Sequence, residues 1–174
     1  MNKKELFAIA AHFSAYEVRF SEKGDRFAII NPYGKESIVV ADEGKEPYTA
    51  YYVGFSCFHA HPCFAEHVIT FVCDIMEGKR SVIEFYKNGH VTMSTDIDTR
   101  EMREVTCETL AARMGCNGES QMRFYANYAD TFKIRIWGED ADIDAIFIRD
   151  KQGNAGIQIM GTSARRFETK KRRR

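Results

Sequence analysis

The stretch Arg80-Ser81-Val82-Ile83-Glu84-Phe85-Tyr86-Lys87-Asn88-Gly89-His90-Val91-Thr92-Met93-Ser94-Thr95 reads as two strands, 80–87 and 90–95, joined by a two-residue turn. Asn-Gly is the pair that a type I′ hairpin turn favours, because both central residues must take positive φ and these two tolerate it. Antiparallel pairing therefore stands at the middle of the chain.

Upstream, short strands are expected at about 16–21, 26–31, 37–41 and 48–58, punctuated by Gly24-Asp25, Asn31-Pro32 and Gly44. The gaps are too short for crossover helices, so these strands should also be antiparallel neighbours. Downstream, strand 131–137 alternates, with Phe132, Ile134 and Ile136 to one side and Lys133, Arg135 and Trp137 to the other. Strands 143–149 and 156–160 follow, joined by Lys151-Gln152-Gly153-Asn154.

Three helices complete the reading. Residues 2–14 carry Leu6, Ile9, Ala10 and Phe13 at helical spacing, with Asn2 as the cap. Residues 63–77 lie between Pro62, a residue suited to helix starts, and Gly78, suited to the position after a helix end. Phe64, Val68, Phe71, Val72 and Ile75 line one face, and Cys63, His67, Thr70, Asp74 and Glu77 the other. A third helix is expected over 99–114, capped by Thr99 or Thr106 and ended by Gly115 and Gly118. The expected fold class is α+β, largely antiparallel sheet with about three helices. Residues 1–164 are expected to form one domain, with a subdivision near 96–105, followed by a basic disordered tail over 165–174.

A chain of 174 residues with 13 Phe and 8 Tyr has the composition of a packed protein. At this length, folding buries about 70% of the unfolded chain's surface, so stability requires no disulfide or structural metal. The five cysteines, Cys57, Cys63, Cys73, Cys107 and Cys116, form no CxxC pair. No secretory signal opens the sequence, and no run approaches the roughly 20 apolar residues of a membrane span. The expected compartment is a reducing cytoplasm.

A net charge of zero conceals a division. Arg165, Arg166, Lys170, Lys171, Arg172, Arg173 and Arg174 place seven basic residues beside one acidic residue, Glu168, in the last ten positions. Of the 25 basic and 25 acidic residues, 18 and 24 remain in the body, so the body carries −6 and the tail +6. A cationic segment of this kind neutralises phosphates by releasing counterions, or serves only to keep the chain soluble. Lys133, Arg135 and Trp137 offer two cations beside one ring, a pattern that fits nucleic-acid contact and equally fits an ordinary outer sheet face. No amphipathic helix or lipidation motif accompanies the basic tail, so no membrane partner is expected.

The densest chemistry lies in His59-Ala60-His61-Pro62-Cys63-Phe64-Ala65-Glu66-His67, which holds three of the five histidines and one cysteine. His59 and His61 share a strand face, and Cys63 and His67, four apart, share a helix face. Four such ligands suit zinc and would serve a metal-dependent hydrolase or nuclease, although the spacing matches no standard structural zinc pattern. The alternative is a strand-to-helix junction whose histidines have no special role. Cys57 or Cys63 beside His59 is the best nucleophile pair, but free cysteines commonly serve as small core residues. The acidic run from Glu139 to Asp144 fails as a calcium loop, because Ala145 and Lys151 occupy positions that need Gly and Glu. GxxxxGK[ST], GxGxxG, HExxH and GxSxG are all absent. No catalytic residue and no cofactor is expected, with zinc as the alternative.

The segment from Tyr48 to Gly89 holds FSCFHAHPCF, EHVITFVCDIMEGK and VIEFYKNG. It resembles small α+β proteins of phages and conjugative elements, some of which are anti-CRISPR inhibitors of nucleases. The resemblance implies a binding protein, without enzymatic activity, that acts on a nucleoprotein. It supplies no functional residues. A third reading is a structural or assembly module that pairs through an open sheet edge.

Overall fold

A computed structural model of the chain describes residues 3–44, 51–100, 106–116, 118–138 and 142–160. The fold is α+β, with two five-stranded antiparallel sheets and, among the described residues, four helices. Asn2 and the whole of 165–174 fall outside the described residues. The chain divides at Glu77/Gly78, upstream of 96–105, into two compact units: residues 1–77 with 137–139, and residues 78–136 with 140–174.

In the first unit, α1 (Lys3–Ala11) precedes the meander β1 (Val18–Phe20), β2 (Arg26–Ile29), β3 (Ile38–Asp42), β4 (Tyr51–Phe55) and β5 (Phe58–Ala60), and α2 (Ala65–Met76) closes it. Each strand pairs antiparallel with the next, as the short connections require. Leu6, Ile9, Ala10 and Phe13 are all buried, so the apolar stripe of the first helix reads correctly. The expected strand 48–58 is in fact a hairpin. Ser56 takes φ 56 and turns the chain, pairing Phe55 with Phe58. Glycine usually takes the positive φ of such a turn, so Ser56-Cys57 announces no fold-back.

Trp137, read as lying on an outer sheet face, is buried in this unit, with its ring 6.0 Å from that of Phe55 and edge-on to it. β8 (Thr131–Arg135) ends before it, so the strand alternation no longer governs its direction. Asn31, itself buried, holds this segment. Its Nδ2 donates to the Trp137 carbonyl at 3.0 Å, while its Oδ1 accepts from Tyr33 N at 2.9 Å. Lys35 Nζ donates to the Gly138 carbonyl at 2.9 Å.

The second unit contains β6 (Arg80–Lys87), β7 (His90–Asp98), α3 (Cys107–Arg113), α4 (Glu119–Tyr128), β8, β9 (Ile143–Arg149) and β10 (Ala155–Met160), with strand order β10-β9-β8-β6-β7. Asn88 at φ 51 and Gly89 at φ 79 form the I′ turn that the sequence called for. β7 runs three residues beyond the expected end, past an irregularity opposite Phe85/Tyr86. Ile83, Phe85, Leu110, Phe132, Ile134 and Ile157 are core residues of this unit. α3 is shorter than expected, starting at a Thr106 capping box closed by Thr109. Thr99 instead donates from Oγ1 to the Gly78 carbonyl at 2.6 Å. Gly118 is the N-cap of α4 rather than part of a helix end. α4 went unforeseen because it buries little beyond Met122 and Ala126 and shows Phe124 and Tyr128 on its outside.

Removing the Trp137 ring empties a packed site in the first unit. Trp137→Ala is expected to lower stability by about 3–5 kcal/mol, measured by urea unfolding followed by far-ultraviolet circular dichroism.

Candidate functional site

The outward face of the first sheet brings together side chains from three strands. In register, Ala41 faces Tyr52, Val39 faces Gly54, and Gly54 faces His59. Tyr52, Gly54 and His59 therefore share one face, with His61 just past the end of β5 and Glu43 just past the end of β3. The Tyr52 ring stacks on His59 at 5.4 Å and meets His61 edge-on at 6.1 Å. The two imidazoles lie 5.0 Å apart, with planes crossed at 85°. Nδ1 of His61 lies 2.9 Å from Glu43 Oε2, and the two side chains are 45% and 23% exposed.

Gly54 makes this arrangement fit. A Cβ there would stand 2.6 Å from Tyr52 Cε1 and 2.7 Å from its hydroxyl oxygen. Only a residue without a side chain lets the Tyr52 ring lie flat along β4 and reach His59. The sequence reading missed Glu43, Tyr52 and Gly54, because one continuous strand over 48–58 conceals that Gly54 pairs with His59.

The other two residues of the expected ligand set lie elsewhere. Cys63 is exposed and precedes α2, whose N-cap is Phe64 in extended conformation (φ −131, ψ 149). The four-residue helical spacing to His67 therefore does not apply, and Cys63 and His67 share no helix face. His67 packs edge-on against Phe64 at 5.3 Å, and Phe64 is 59% exposed rather than part of the buried stripe. Val68, Val72 and Ile75 are the buried residues of that helix. Among the described residues, no group of three or more His, Cys, Asp or Glu is arranged to hold a metal ion.

Lys133 and Arg135 are engaged within the second sheet. Lys133 Nζ lies 3.4 Å from Asp144 Oδ1. Arg135 Nε donates to Glu84 Oε2 at 2.7 Å, and its Nη1 donates to Asp142 Oδ2 at 2.9 Å. Glu84 has no exposed surface. Tyr86 Oη donates to the same Glu84 oxygen at 2.5 Å. Burial, first, and this bond to a carboxylate push the Tyr86 phenol up to about 12. Arg135 is thus a structural counterion, and with Trp137 buried no cation-and-ring platform forms on this strand.

Two substitutions test these assignments. Arg135→Leu leaves the Glu84 charge buried without its guanidinium and is expected to cost about 3–5 kcal/mol in chemical denaturation. Gly54→Ala is expected to keep the fold and displace the Tyr52 ring, moving the His59 ring-proton resonances downfield as stacking is lost. Comparison of the chain with protein-family models, with curated proteins and with solved structures found no match.

Proposed function

We propose that the protein is a binding protein, without catalytic chemistry of its own, that engages a nucleoprotein through opposite charges held in separate parts of the chain. The distribution of charge along the sequence carries the reading. In the body, Arg19 pairs with Glu17, Arg26 with Asp25, Arg80 with Asp96, Lys87 with Asp130, Arg100 with Asp98, Lys133 with Asp144, and Arg135 with Glu84 and Asp142. At least seven of the body's 18 basic residues thus face its own carboxylates, while seven further cations stand between Arg165 and Arg174 beside a single acid.

An acidic body competes for a basic channel on a protein, and a cationic segment holds nearby nucleic acid. A partner made of both matches both charges. The resemblance to mobile-element proteins extends the reading to a CRISPR-Cas nuclease as the partner and to inhibition as the outcome.

The test uses a labelled DNA duplex and the full chain. Deleting 165–174 should weaken binding and flatten its salt dependence, each lost phosphate contact removing about 0.9 from the slope of log affinity against log salt. Unchanged affinity and slope in the truncated chain would refute the role given to these cations.

A further inference from the structure

The geometry points to a binding site for one divalent cation of the zinc, nickel or copper class, held by His59 and His61 on the outward face of the first sheet. The site differs from the four-residue set suggested by the sequence: Cys63 and His67 are not part of it, and Glu43 and Tyr52 are.

The separation of the rings is the first argument. With metal–nitrogen bonds of about 2.1 Å and a tetrahedral angle, two imidazoles on one cation place their ring centres about 5 Å apart. His59 and His61 stand at 5.0 Å with crossed planes, so they already have the spacing of a chelating pair.

Glu43 provides the second. A histidine that binds a metal through one nitrogen usually donates its other N–H to a carboxylate, which fixes the tautomer and makes the ligating nitrogen more basic. The 2.9 Å contact from His61 Nδ1 to Glu43 Oε2 is this arrangement. In the neutral ring, a carboxylate at Nδ1 places the proton there and leaves Nε2 as the nitrogen with a lone pair for the cation.

The third argument is pre-organisation. Exposed imidazoles ordinarily turn among rotamers, and ordering them costs affinity. Here the Tyr52 ring stacks on one and abuts the other, in space that Gly54 provides. Imidazole nitrogen selects zinc, copper or nickel over magnesium or calcium, which prefer oxygen. Water occupies the remaining coordination positions.

Zinc chloride titrated into the full chain, free of any affinity tag, tests the site by calorimetry and by imidazole resonances. One zinc per chain is expected, shifting the ring signals of His59 and His61 and leaving those of His67 in place. His59→Ala and His61→Ala should each weaken binding about tenfold or more, since one protein ligand remains. Glu43→Gln should weaken it by about 10–100-fold, while Cys63→Ser and His67→Ala leave it unchanged. Magnesium chloride should not bind. Absence of stoichiometric binding, binding that survives both histidine variants, or binding lost in Cys63→Ser would overturn the proposal. The resonance shifts are read on the unaltered chain, so the test stands even if a variant fails to fold.

Discussion

A carboxylate with no exposed surface constrains the second sheet. Glu84 lies on the central strand pair, opposite Lys133 in register. A charge in that position is costly unless it is matched, because the penalty for an unpaired buried ion exceeds what most single contacts return. Arg135 supplies the match from the neighbouring strand, and Tyr86 adds a hydroxyl. The same guanidinium reaches Asp142, whose other oxygen accepts the Ile136 amide at 3.1 Å. The bonds that run from Glu84 through Arg135 to Asp142 therefore hold Ile136, the residue just past the end of β8. Trp137 follows Ile136 immediately and belongs to the core of the other unit.

The face that holds His59 and His61 follows a different logic. Its two histidines are exposed, so burial does not dictate their identity, and ring packing fixes their geometry. A glycine in β4, a tyrosine laid over it and a glutamate from the end of β3 give two surface imidazoles defined positions. Structural stability alone does not call for this.

The parts of the fold legible in the sequence were those governed by local chemistry. Asn88-Gly89 encodes its turn because both positions need positive φ, and the α1 stripe encodes its burial because its period is helical. Thr106, one of two caps weighed, is the one used. What stayed hidden depends on partners distant in sequence. The Ser56 turn lacks the residues that usually mark one, so the register placing Gly54 against His59 was out of reach. Arg135 looked like a free surface cation because its partner, Glu84, lies 51 positions away. Trp137 looked outward because strand alternation was carried two residues past the end of β8. α4 was missed because a helix that buries so few side chains leaves a weak periodic signal.

Trp137 is the chain's one tryptophan, and its indole sits inside the first unit. Intrinsic indole emission therefore senses that unit's interior, whereas far-ultraviolet circular dichroism sums over all the helices and sheets. A fluorescence melt and a dichroism melt of one sample thus follow different objects. Coincident curves would mean that both units unfold as one cooperative body, and separated curves would measure how independent they are.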